Sequence, residues 1–257
     1  MTMLVIRFPP GQNAVEKLMQ HLVIGAGSAI AAAIIEQYLT AGDSVVAVSR
    51  SMQSDVMATA DGRLEWLRSD YSEESIHRIC SRLRESALVF DRVFICNGIL
   101  HHAHVAPEKR LEDVTTEQLT EVIHINAFQP VTWVKHLKPV LRNKQRCILT
   151  AFSARIGSIG DNGRGGWYAY RASKAALNML MKSAAIEYQR ERRNVQFLLF
   201  HPGTTDTPLS KPFQRSVSPD KLFTPAFVAR QLLSIIDGLD PELSMQYLDW
   251  KNTAIEW

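Results

Sequence analysis

Short apolar runs recur along the chain at Leu22–Ile24, Val45–Val48, Val93–Cys96, Cys147–Ala151 and Val195–Phe200. A weaker run, Arg63–Leu67, precedes Asp70. Longer stretches whose apolar positions follow a helical period separate them: Ala29–Thr40, Ser72–Ser86, Thr116–Arg142, Tyr168–Arg190 and Pro225–Leu239. The strand-length runs do not alternate with polar residues, as expected when both faces of a sheet are covered. Strands alternating with helices predict βαβ units joined by right-handed crossovers. The expected fold is α/β: a single-domain, Rossmann-type doubly wound parallel sheet with helices on both faces. No solenoid repeat, low-complexity tract or long linker divides the chain. The reading is an N-terminal extension over residues 1–20 and one domain over 21–257.

Composition narrows this picture. At about 150 residues per domain, 257 residues allow one large domain, long enough to bury a core without disulfides or metals. Hydrophobic residues make up 46% and charged residues 21%, ordinary globular proportions. The net charge of +3 is too small to point to nucleic acid. No apolar stretch approaches the ~18 residues of a membrane span. The run Met3–Phe8, followed by Pro9-Pro10-Gly11, lacks the apolar length and cleavage site of a secretory signal. Cys80, Cys96 and Cys147 show no C-x-x-C spacing. They suggest neither disulfides nor zinc, and a cytoplasmic location is expected.

The first predicted strand runs into Gly25-Ala26-Gly27-Ser28-Ala29-Ile30-Ala31 and then into a helix. Such a turn aims backbone N–H groups and the positive helix end at a phosphate. Gly25 and Gly27 can supply the positive φ it needs. Its place in the first βαβ unit is where a dinucleotide belongs; a tight turn with no ligand is the alternative. The second strand ends at Ser49-Arg50, with Arg50 standing 25 residues after Gly25. A basic residue here favours the 2′-phosphate of NADP, and Ser49 can add a hydrogen bond; NAD stays open.

The strongest chemical signal is Tyr170-Arg171-Ala172-Ser173-Lys174. Residues i and i+4 share a helix face, so phenol and ammonium can approach one another. A tyrosine of pKa about 10 is a poor acid–base group at neutral pH. An ammonium at ~4 Å contributes about 4 kcal/mol at an effective dielectric of 20, which matches a downward shift of about three units. Such a tyrosine can give a proton to a carbonyl oxygen as hydride arrives. The alternative is a surface pair.

Here the sequence resembles the short-chain dehydrogenase/reductase family over roughly residues 21–257, most like its C-factor and sniffer-type carbonyl reductase branch. The resemblance rests on residues standing in family order: the turn at Gly25, Asp70, Cys96-Asn97-Gly98, Asn126, Tyr170 with Lys174, and Pro202-Gly203-Thr204. The branch is suggested by Ser153–Ser158 and by Gly165–Tyr170. It implies an NAD(P)-dependent oxidoreductase that interconverts a carbonyl and an alcohol, acting on a small molecule as a homodimer or homotetramer. Asp70 would contact the adenine, and Asn97 and Gly98 would lie against the adenosine ribose. Lys174 would bind the nicotinamide ribose, and Asn126 would hold a water linking Lys174 to solvent. Pro202, Gly203 and Thr204 would border the nicotinamide, with Thr207 reaching its pyrophosphate or carboxamide region. Each residue also has a structural reading: Asp70 as a helix cap, Asn97-Gly98 as a turn, Pro202-Gly203 as a strand end.

Two departures from the family stand out. Ala29 and Ala31 replace further glycines, setting methyl groups where a phosphate approaches closely. The family serine stands three residues before a glycine, but three before Gly157 is Ala154. Ser153 at the strand end, Ser158, or no serine at all remain open, with Ser153 favoured. These departures keep a second reading, a non-catalytic NADP(H)-binding sensor or signalling protein. His101, His102 and His104 show no obvious carboxylate partner, so no metal is expected. Residues of about 208–224 read as a lid over the substrate. Tyr247, Trp250 and Trp257 read as core or subunit contacts. The Tyr168–Arg190 helix carries more apolar positions than one packed face needs, which suggests a second face against another subunit.

Overall fold

A computed structural model describes residues 18–51, 62–142 and 144–257. Most of the expected N-terminal extension, residues 1–17, lies outside the described residues. The sheet already begins at Gln20, one residue before the expected boundary.

The chain runs β1 (Gln20–Ile24), α1 (Ala29–Thr40), β2 (Ser44–Ser49), β3 (Leu64–Arg68), α2 (Glu73–Glu85) and β4 (Arg92–Ile95). It continues through α3 (Thr116–Ile123), a π-helical turn at His124–Phe128, α4 (Gln129–Leu137), β5 (Cys147–Phe152), α5 (Tyr168–Arg190) and β6 (Val195–His201). The short strands β7 (Thr204–Thr205) and β8 (Leu222–Phe223) precede α6 (Pro225–Asp237) and β9 (Met245–Asp249). Seven parallel strands pair in the order β3-β2-β1-β4-β5-β6-β9.

The unbroken apolar runs follow from two cores. Leu22 and Ile24 of β1, Val46 and Val48 of β2, and Val93 and Ile95 of β4 face the core shared with α2, α4 and α5. Their neighbours Val23, Val45, Ala47 and Phe94 face the core shared with α1 and α6. Successive strand residues point to opposite faces, so both parities must be apolar.

The expected helix Thr116–Arg142 is instead α3 and α4 joined by the π-helical turn. Pro130 is the cause. It has no N–H for the carbonyl of Asn126 four residues earlier, so the α-helical ladder cannot run through. The edge strand β9 was absent from the sequence expectations. Tyr247 and Leu248 are buried within it, and Trp250 beyond its end packs on Phe223 and Phe227.

Chain order places a topological switch between β1 and β4, where the loops after the two strands part company. Ligands of open α/β sheets bind outside the strand ends at such a point.

Candidate active site

The turn after β1 is built by backbone demand. Gly25 has φ +80° and its N–H donates to the carbonyl of Val48 at 2.9 Å. A Cβ on Gly25 would stand 2.6 Å from the main-chain N of Asn97, so only glycine lets the chain leave β1 this close to the end of β4. Gly27 corrects the expectation: its φ is not positive, and an added Cβ would find its nearest neighbour at 3.9 Å. Ser28 caps α1, its Oγ accepting the N–H of Ala31 at 3.2 Å. The first-turn N–H groups of Ala29 and Ile30 have no intrahelical acceptor and point out of the helix end. Ala31 is fully buried in the core under α1. Its methyl therefore lies in the core, so of the two alanines only Ala29 stays at the helix mouth.

At the end of β2, Arg50 is exposed and Ser49 is buried. The Ser49 hydroxyl donates to the carbonyl of Ser51 and accepts Nε1–H of Trp66 at 3.2 Å. Its proton is committed locally, so Ser49 is a support for the loop carrying Arg50 rather than a free donor to a ligand. Asp70 is exposed, and its Oδ1 accepts from both N and Oγ of Ser72, at 2.9 and 2.7 Å. These bonds hold its carboxyl below the usual range. The cap of α2 is Ser72 itself.

After β4, Asn97 holds Nδ2 within 3.4 Å of the carbonyl of Ile125, while its Oδ1 is buried without a partner among the described residues. Gly98 is packed so that a Cβ would lie 3.1 Å from Oδ1 of Asn126 and 3.6 Å from Nζ of Lys174. The buried Asn126 side chain is fully engaged: Nδ2 donates to the carbonyl of Ile99 at 2.8 Å and to Oγ of Ser173 at 2.9 Å, and Oδ1 accepts Ile99 N–H at 2.7 Å. The expected water contact therefore cannot use its side-chain donors. Its main-chain carbonyl lacks the usual i+4 donor, because Pro130 has no N–H.

Tyr170 and Lys174 stand one turn apart on α5, with Nζ 5.8 Å from the phenol ring centroid. Nζ donates to the carbonyl of Phe152 at 2.8 Å. Gly157 sets this approach, since a Cβ there would lie 2.7 Å from that of Lys174. Burial governs both groups. It pushes the Tyr170 phenol above its ordinary value and pulls the Lys174 ammonium down to about 8. The expected lowering of the phenol by its lysine is thus reversed here, because desolvation outweighs an ammonium that is turned to a carbonyl.

Neither serine presents a proton to Tyr170. Ser153 is buried, and its Oγ donates to Oδ1 of Asn178 at 2.5 Å. Beside it the Tyr247 hydroxyl donates to the carbonyl of Ala154 at 2.6 Å. Ser158, also buried, accepts Asp161 N–H at 3.1 Å. It lines a small cleft together with Arg171, Ala172 and Ala175. Asn178 was not anticipated, although its place four residues after Lys174 on the sheet-facing stripe is a legible signal.

Gly203 has φ +71°, and a Cβ there would strike Phe223 at 2.7 Å. Pro202 and Thr204 are half-buried beside it, and Thr204 pairs with Leu222. Thr207 donates through Oγ1 to the carbonyl of Thr205 at 3.4 Å. His201 is half-buried, with Nδ1 buried and unpartnered among the described residues, and desolvation with nearby Arg155 pulls its imidazole down to about 4. The expected lid segment carries helical turns at Lys211–Ser216 and Pro219–Lys221. His101 Nε2 is 3.1 Å from the carbonyl of Leu209, and the Phe213 ring lies 5.0 Å from Trp167, itself 6.3 Å from Tyr170. His102 does have a carboxylate partner, with Nε2 2.8 Å from Glu121, and its Nδ1 accepts His104 N–H. Both ring nitrogens of His102 are thereby used.

Residues 20–217 match the short chain dehydrogenase family. The chain is 31% identical over 239 residues to 1-hydroxy-2-glutathionyl-2-methyl-3-butene dehydrogenase of Rhodococcus sp. (strain AD45), covering 92% of this chain and 98% of that one. It is 33% identical over 147 residues to C-signal of Myxococcus xanthus, covering 57% and 83%. Carbonyl reductase Sniffer of D. melanogaster superposes with a TM-score of 0.80 at 19% identity, over 94% of this chain and all of that one. An NADP-bound short-chain dehydrogenase/reductase from Burkholderia multivorans, described as putative, superposes at 0.78 with 24% identity and the same coverage. The chain belongs to the short-chain dehydrogenase family, and it is an oxidoreductase of that class.

Proposed function

We propose that the protein is an NADP-preferring carbonyl/alcohol oxidoreductase in which Tyr170 exchanges the proton with the substrate oxygen. The observation that carries this reading is the convergence at the switch point of the Gly25 turn, the unpartnered Oδ1 of Asn97 and the Tyr170/Lys174 pair. A cradle that admits no Cβ and an orphaned buried acceptor both fit a dinucleotide. When bound, NADPH supplies a hydride equivalent, and NADP⁺ accepts one in the reverse direction.

The chain's own residues do the rest. The turn Gly25, Gly27, Ser28, Ala29 and Ile30 holds the pyrophosphate on backbone N–H groups. Arg50 meets the 2′-phosphate, Asp70 the adenine, and Asn97 with Gly98 the adenosine ribose. Pro202, Gly203, Thr204 and Thr207 border the nicotinamide end. Lys174, whose ammonium donates to the Phe152 carbonyl in this structure, would bind the nicotinamide ribose hydroxyls. Tyr170 then gives its proton to the carbonyl oxygen, a contribution of about 10²–10⁴-fold for a general acid. A water on the Asn126 carbonyl returns the proton by way of Lys174. Residues 208–224 act as the lid, latched through His101.

The exposed apolar residues Met179, Ile186 and Phe128 support a homodimer or homotetramer built on α5 and the turn before α4. No helix among the described residues is long and apolar enough to cross a membrane. Three cysteines without disulfides support a reducing, cytoplasmic setting. The test is NADPH oxidation against a panel of aldehydes and ketones: turnover that requires Tyr170 supports the reading. Tight NADPH binding with no carbonyl reduced would favour the sensor.

A further inference from the structure

Helix α5 carries Tyr170 and Lys174, yet the residue that precedes it does not cap it. The residue before it, Trp167, has φ 52° and ψ 45°, and no side chain of that segment bonds the first turn. Capping residues stand in the extended region so that a side-chain oxygen can reach the second or third N–H of the helix. Gly165, Gly166 and Trp167 are all left-handed, which forecloses that geometry.

Glu108 fills the gap from 61 positions away in the chain. Its Oε2 accepts Ala169 N–H at 3.2 Å, the second N–H of the helix, and its main-chain carbonyl accepts Trp167 N–H at 2.5 Å. The side chain is 3% exposed, and Oε1 is buried without a partner among the described residues. A buried carboxyl oxygen left unpaired is costly, and a surface loop has no need of it. Gly166 belongs to the same joint: a Cβ there would lie 3.4 Å from the Glu108 carbonyl.

We infer that Glu108 is a positioning residue for Tyr170: it caps the catalytic helix from the loop after β4. Two bonds fix the first turn and Trp167, whose ring stands edge-on to that of Tyr170 and packs on Phe213 of the expected lid. The phenol's place relative to the substrate oxygen thus depends on Glu108, which itself touches neither substrate nor cofactor. This rests on the proposed role of Tyr170.

The experiment compares Glu108→Ala and Glu108→Gln with the parent, using full-length protein. The readouts are hydrogen exchange across residues 166–171, NADPH affinity, and kcat with KM. The amide oxygen of the glutamine variant can still accept, so that variant should keep both slow exchange and kcat. The alanine variant should exchange ~5-fold faster at residues 166–171. Its kcat should fall ~10-fold or more from misplacement, with NADPH affinity and sheet exchange held. If the alanine variant does not fold, Glu108→Asp, one methylene short, should show the same pattern. Parent-like exchange and kcat in the truncated variant would overturn the inference. So would a loss spread evenly over the sheet and NADPH binding. If the parent reduces no carbonyl, the functional reading fails, and the exchange comparison still decides whether Glu108 caps the helix.

Discussion

The hydroxyl of Ser153 donates to Oδ1 of Asn178 at 2.5 Å, and both residues are buried. A serine hydroxyl has one proton to give. Spent on Asn178, it is not available to a substrate oxygen, and Ala154 beside it has none. In the proposed mechanism the proton for the reacting oxygen then comes from Tyr170. Ser153→Ala should leave kcat within about 3-fold of the parent, well short of the ~10²-fold loss of an oxyanion donor. It should lower stability by about 1–3 kcal/mol, because Oδ1 of Asn178 loses its partner. Steady-state kinetics and urea unfolding check the two parts. A hundredfold fall in kcat with unchanged stability would return Ser153 to the catalytic set.

Arg50 is exposed at the end of β2, where a dinucleotide's second ribose belongs in this topology. NADPH should bind more tightly than NADH by roughly ten- to a hundredfold, the worth of a charge-assisted contact of ~1.5–3 kcal/mol. Arg50→Asp should erase or reverse the preference. Fluorescence titration with both coenzymes measures this, and equal affinities in the parent would contradict the assignment.

The strand and helix pattern was largely legible because each strand serves two cores, as Leu22 and Val23 do on opposite faces of β1. β9 was not legible. It lies at the sheet edge beside β6, and Gln246 and Asp249 interrupt its apolar run. The site divides the same way. Gly25, Asn97, Tyr170 and Lys174 follow from local turns and helix spacing, which a sequence carries. Which serine faces the site depends on Asn178 and Tyr247, brought there by other elements, and no local spacing encodes that choice. Glu108 left no trace for the same reason.

Two pH effects follow from burial. His201 falls from 6.5 to about 4 in the folded protein, and His21 is lowered as well. Between those values the unfolded chain binds more protons, so stability should fall as pH drops from about 6.5 toward 4. Lys174, at about 8 against 10.5, gives a rise in stability between those two values by the same rule. Melting temperature against pH checks the signs. His201→Asn should flatten the acid limb, and an unaltered acid limb would remove His201 as its source.

Binding NADPH should recharge Lys174. At pH 8–9, calorimetry in buffers of different ionisation enthalpy should report proton uptake in the parent and markedly less in Lys174→Met. Equal uptake by both proteins would place the titrating group elsewhere.

Met179 on α5 is 66% exposed and Ile186 is 37% exposed, whereas Leu177, Met181 and Ala185 face the sheet. Light scattering at micromolar concentration should give twice or four times the chain mass, and Met179→Lys should lower it. A monomeric parent would contradict the proposed assembly.

The most direct test is Tyr170→Phe, which removes one hydroxyl and leaves the ring. With a ketone or aldehyde that the parent reduces, turnover should fall by about 10²–10⁴-fold while NADPH affinity hardly changes. Lys174→Ala, losing both charge and ribose contact, should lower turnover and NADPH affinity together. Turnover that survives the phenylalanine substitution would contradict proton transfer by Tyr170, and with it the proposed mechanism.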